Sequence, residues 1–143
     1  MSLDVLNPIS MTSLNNLDLY PDQVIGKNIK VHTEDNGIPD LDGVKVAFIG
    51  LTENRNAFFP TSDYDLDSFR MSFYKLYPGN WGLEIADLGN LPDGETVTDT
   101  YFALTEICNE LQKINIVTVL VGGSHDMIYS VYKSYSNNKV LAN

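Results

Sequence analysis

Three scarcities narrow what this chain can do: cysteine, basic residues and long apolar runs. Cys108 is the single cysteine in 143 residues, so no internal disulfide can form, which fits a reducing compartment. Lys and Arg number nine against nineteen acidic residues, for a formal net charge of −10. The basic residues are scattered, and without a basic stripe to neutralise phosphates nucleic acid is not an expected partner. No segment approaches the roughly 20 apolar residues of a membrane span. Residues 1–11 carry neither a basic residue nor an apolar run long enough for a signal peptide. The expectation is a soluble, cytoplasmic protein with no membrane partner. Histidine is scarce as well: only His32 and His125 occur, and no Ser-His-Asp or Cys-His nucleophile arrangement stands out.

What is present is the material of one ordinary domain. Hydrophobic residues make up 43% of the chain, and a complete fold of this length buries about 70% of its unfolded surface. Residues 1–43 read as an arm with little regular structure, punctuated by Pro8, Pro21, Gly26, Gly37 and Pro39, with His32 as a surface or edge-strand histidine. Residues 44–143 are regular. Residues 44–51 read as a strand, followed by the polar loop Thr52-Glu53-Asn54-Arg55-Asn56. Asp67 can cap a helix with Phe69, Phe73, Leu76 and Tyr77 on one face, stopped by Pro78-Gly79. Residues 83–88 read as a second strand, ended by Asp87 and closed by Gly89-Asn90. A second helix spans about 98–113, with Tyr101, Leu104, Cys108 and Leu111 on a stripe. A third strand, 116–121, leads to a third helix at about 126–135 with Ile128, Val131 and Tyr135 spaced to face a core. Residues 139–143 resemble the start of a fourth strand. This β-α-β-α-β-α order implies a parallel sheet with helices on its faces.

The third strand and the glycine turn behind it form the most informative segment. Ile116-Val117-Thr118-Val119-Leu120-Val121 is a continuous run of mostly β-branched residues, the pattern of a central strand buried on both faces. Gly122-Gly123-Ser124-His125-Asp126 then delivers His125 and Asp126 to the carboxyl end of the sheet, where ligands of open α/β sheets bind. His125 there suits a Zn or Mn ligand or a general base. The competing reading is a tight βα turn capped by Ser124 or Asp126. A phosphate cradle ranks last, because P-loop spacing and lysine are missing. Glu53, Asn54 and Arg55 follow the first strand at the same edge, where they can touch a substrate or simply be solvated. Asp63-Tyr64-Asp65-Leu66-Asp67 alternates three carboxylates, but Ser68 and Tyr74 replace the Gly and Glu of a calcium loop. A helix N-terminus explains it better.

At these residues the chain resembles the arginase family of ureohydrolases, which includes agmatinase and formimidoylglutamase. Val121-Gly122-Gly123-Ser124-His125-Asp126 is similar to that family's first metal motif, and an acid directly after the histidine looks more like the formimidoylglutamase branch. Phe48 to Ala57, Phe69-Arg70 through Leu76, and Ala86 to Leu91 resemble further family segments, so the likeness covers about residues 44–143. The resemblance implies a three-layer α/β/α sandwich with a parallel sheet, of which this chain is the N-terminal half, truncated at its C-terminal end. It implies two Mn²⁺ ions that activate a water for attack on a linear amidine or guanidine. It implies His125 as a metal ligand, Asp126 as a carboxylate close to metal or substrate, and Glu53 to Asn56 as a substrate loop. The family's later metal motifs, Asp-x-His-x-Asp and Asp-x-Asp, are missing from the matching place. The 143 residues alone are therefore expected to hold a partial site and no activity, and to form a homo-oligomer or pair with a missing C-terminal part. The rival expectation is a non-catalytic α/β interaction module or degenerate relative.

Overall fold

A computed structural model describes residues 1–61 and 65–135. Strands β1 (Lys30–Val31), β2 (Val44–Leu51), β3 (Glu84–Leu91) and β4 (Val117–Gly122) form one sheet in the order β1-β3-β2-β4. Every pairing is parallel. The helices are α1 (Ile25–Asn28), α2 (Leu66–Phe73), α3 (Val97–Lys113) and α4 (Ile128–Ser134), with short 3₁₀ turns at Ser2–Val5, Met11–Leu14, Leu17–Leu19 and His125–Met127. None of the helices among the described residues is long and apolar enough to cross a membrane.

Alternation along β2 explains the layering. Ala47, Ile49 and Leu51 point to one face and bury with Leu104, Ile107, Cys108 and Leu111 of α3 in a single core. Phe48 points to the other face, its ring 4.7 Å from that of Phe73 on α2. Gly50, on the α2 side, leaves the space that Leu66 and Asn90 fill. Helices thus cover both faces of a parallel sheet, the expected α/β architecture. The N-terminal segment contributes Leu3 and Leu6 to the α3-side core. Asn7 and Asn90 exchange main-chain hydrogen bonds of 2.8 and 2.9 Å. Gly89 permits that approach: at φ +87°, a Cβ there would lie 2.0 Å from the Asn7 carbonyl oxygen.

Several local expectations need correction. The apolar run 116–121 predicts a central strand buried on both faces. Among the described residues β4 pairs only with β2, at the end of the sheet, and Val117 is 60% exposed. β3 does not close at Gly89-Asn90. Pairing steps from Phe48↔Asp87 to Gly50↔Asn90, three positions on β3 against two on β2, so a bulge absorbs Gly89 and the strand continues to Leu91. The cap of α2 is Asp65, whose carboxylate accepts the Ser68 amide at 2.9 Å; Asp67 accepts the Ser13 hydroxyl instead. α2 ends at Phe73, and Leu76 and Tyr77 are exposed; its buried residues are Leu66 and Arg70, and Tyr74 at its C-cap is buried behind them. On α4, Ile128 is exposed, while Ser130 and Ser134 are buried against α3. His32 is buried: its Nδ1 lies 2.9 Å from the Leu88 carbonyl, which can only accept, so Nδ1 carries the proton. Asp63 and residues 136–143, with the expected fourth strand, lie outside the described residues.

Candidate functional site

Register gathers three loops at one rim. Leu51 at the end of β2 lies opposite Gly122 of β4 and Leu91 of β3. The segments following all three strands therefore emerge at the carboxyl edge of the sheet. The chain leaves β4 through Gly122 and Gly123, both left-handed at φ +87° and +75°. Only glycine takes these values without strain, and a Cβ on Gly123 would stand 3.0 Å from Leu51 Cβ. The next residue, Ser124, is buried and donates its amide to the Glu53 carbonyl at 2.9 Å. His125 comes next, exposed, as the first residue of the 3₁₀ turn. It faces an open cavity of about 320 Å³ shared with Asn56, Phe58, Ser124 and Asp126.

The loop after β2 is knitted inward. Glu53 is 1% exposed. Its Oε1 accepts from Arg55 Nε at 2.9 Å and from the Arg55 amide at 3.1 Å; its Oε2 accepts from Thr100 Oγ1 at 2.9 Å and from Arg55 Nη2. Arg55 also donates to the carbonyls of Gly94 and Glu95, both at 2.9 Å. The Arg55 guanidinium, helped by its amide and by Thr100 against the cost of burial, holds the Glu53 carboxyl down to about 2. Asn54 is buried and donates to the Thr61 carbonyl. Glu53, Asn54 and Arg55 thus brace their own loop and tie it to Gly94, Glu95 and Thr100, and Asn56 is the residue of this segment that reaches the cavity.

Asp126 sits where three segments meet. Its Oδ1 accepts the Ser124 hydroxyl; its Oδ2 accepts the Tyr101 hydroxyl from α3 and Asn56 Nδ2 at 3.3 Å. Burial opposes ionisation, yet the bonds from Ser124, Tyr101 and Asn56 outweigh it and hold the carboxyl below its usual range. The same bond raises the Tyr101 hydroxyl above the ordinary phenol value. Asp87 is remote from this cluster: it is buried on the α2 side, paired with Arg70 at 2.7 and 2.9 Å and accepting from the Tyr74 hydroxyl at 2.8 Å. Among the described residues no three of His, Cys, Asp or Glu come together as a cation site. The exposed imidazole of His125 fits one ligand of a divalent cation, and Asp126 is already engaged by three donors.

A solved structure described as a hypothetical agmatinase from Burkholderia thailandensis superimposes on this geometry with a TM-score of 0.58 over 80% of the chain. The fold is shared with that structure. Sequence identity is 18%, and this chain spans 38% of the length of that one. No protein-family model matches the sequence, and no curated protein matches it. The parallel sheet with helices on both faces is therefore established both by its own register and by this neighbour. Tyr101 is the site residue that sequence reasoning places elsewhere, on an apolar stripe. Its hydroxyl is the available signal, since a phenol at a helix face needs a partner when its ring is packed.

Proposed function

We propose that this chain is the N-terminal portion of a Mn²⁺-dependent ureohydrolase acting on the C–N bond of a linear amidine or guanidine. A formimidoylglutamate-like substrate is favoured, on the acid that directly follows the histidine. The reading rests chiefly on one observation: a lone exposed imidazole, His125, presented by a double-glycine turn at the carboxyl rim of a sheet whose fold an agmatinase shares. Bound Mn²⁺ would supply Lewis acidity and a hydroxide-like nucleophile near neutral pH. The chain's own residues would do the rest: His125 would ligate, and Asp126 would stand beside it. Asn56 and Phe58 would line the entry. The protein would work in the cytoplasm as a homo-oligomer or paired with a C-terminal part that completes the ligand set. By itself the chain would not turn over an amidine.

A second reading is a non-catalytic α/β interaction module, in which the glycine turn only shapes the fold. Thermal unfolding with Mn²⁺ separates the two. A cation that binds only the folded chain stabilises it by about 1.4 kcal/mol at a tenfold excess over Kd. The hydrolase reading expects a melting temperature that rises with Mn²⁺, and a rise that vanishes in His125→Ala. A melting temperature indifferent to Mn²⁺, or a shift that survives in His125→Ala, favours the module.

A further inference from the structure

Asp126 looks at first like a second ligand beside His125, and its surroundings argue otherwise. A carboxylate has about four lone-pair directions. Three are taken, by Ser124 from its own turn, by Tyr101 from α3, and by Asn56 from the loop after β2. All three donors are neutral. Asn56 Nδ2 also lies 3.2 Å from the Tyr101 hydroxyl, so the two outer partners steady one another. Tyr101 is fixed in turn at both ends. Its ring packs 5.7 Å from that of Tyr129, and its main-chain carbonyl accepts Ser130 Oγ at 3.0 Å. One residue of α3 therefore grips both the turn that carries His125 and the helix α4 beyond it. The imidazole itself has no hydrogen-bond partner among the described residues and faces the cavity.

We propose that Tyr101 and Asn56 are positioning residues: they hold Asp126 in place, so that the turn after β4 stays fixed and His125 alone is offered to a divalent cation. This rests on the reading of His125 as a metal ligand. The two roles open to Asp126 give opposite signs. If Asp126 positions, releasing it loosens the turn and weakens cation binding. If Asp126 ligates, removing the Tyr101 hydroxyl frees a lone pair and strengthens binding.

The test adds Mn²⁺ to the isotope-labelled 143-residue chain at neutral pH and follows the paramagnetic broadening of backbone amide signals, which registers weak binding. Broadening in the wild-type chain is expected to centre on residues 123–127 and on Asn56, and to disappear in His125→Ala. Tyr101→Phe, which keeps the ring and its packing on Tyr129, is expected to need about tenfold more Mn²⁺ for equal broadening, the usual loss when a residue supporting a ligand is removed. Asn56→Ala is expected to move the same way and decides the matter if Tyr101→Phe does not fold. Unchanged or tighter binding in these variants overturns the positioning role and leaves His125 as ligand. Broadening that is absent in wild type, or that persists in His125→Ala, overturns the ligand reading and the positioning role together.

Discussion

The main-chain carbonyl of Glu53 accepts the amide of Ser124 at 2.9 Å, joining the loop after β2 to the turn after β4. These residues are 71 positions apart in the chain. The turn that presents His125 is therefore only as firm as the loop beneath it. That loop is held by the buried Glu53 carboxylate between Arg55 and Thr100.

Protonating or neutralising Glu53 should loosen this joint. Glu53→Gln removes the charge but not the bulk, and leaving buried donors poorly matched should cost about 1–3 kcal/mol. Arg55 is 41% exposed, so solvent screening puts the effect toward the lower end. The Glu53 carboxyl is held down to about 2 from its usual 4.5, so its contribution is present above the unfolded value and is lost as pH falls between about 5 and 2. Urea denaturation of both proteins across that range checks this. The gap between wild type and variant should be full at neutral pH and close on acidification; a gap that persists at the lowest pH would show that charge is not what holds the loop.

Arg70 and Asp87 form a pair that is almost wholly buried, at 3% and 2% side-chain exposure. Arg70 further binds Asn90 Oδ1 at 2.8 Å and the Gly89 carbonyl at 3.0 Å, which pins the β3 bulge to α2. Asp87→Ala leaves a guanidinium buried without its partner and should cost about 3–5 kcal/mol. Tyr74→Phe removes one bond to the same carboxylate and should cost about 1–2 kcal/mol. Chemical denaturation measures both. Because the pair lies on the α2 face, Tyr74→Phe should leave the proposed Mn²⁺ binding at His125 unchanged.

Cys108 is 2% exposed in the α3-side core, and burial pushes its thiol up to about 11. The native chain should resist thiol-specific reagents at neutral pH and react fully once unfolded in urea. Rapid reaction of the native chain would mean that α3 does not pack on the sheet as described.

Much of the sheet is legible in the sequence because its signals are local. Residues 44–51 form an almost continuous apolar run, enough to read as a strand, and β2 occupies those same positions. The 3.6-residue spacing of Leu104, Cys108 and Leu111 places α3 to within a residue at its start. The failures share a cause, since each depends on a partner distant in sequence. Phe69, Phe73, Leu76 and Tyr77 read as the first helix's inward face, yet Arg70 turns inward because Asp87 lies beneath it, and Ile128 reads as core-facing although it is Ser130 that packs on α3, its hydroxyl donating to the Tyr101 carbonyl. β4 reads as central because its residues are apolar, while its neighbours among the described residues are β2 alone. At the site, the Gly122-Gly123 turn and His125 are visible as a motif. That Glu53 turns inward and Tyr101 reaches Asp126 depends on the register of β2 against β4.

Calorimetric titration of the purified chain with Mn²⁺, beside His125→Ala, bears most directly on the proposed site. One weakly bound ion per chain, lost in His125→Ala while the fold is retained, is the expected result. Two tightly bound ions, or binding heat that is unchanged without His125, would contradict a site in which this chain supplies a single imidazole.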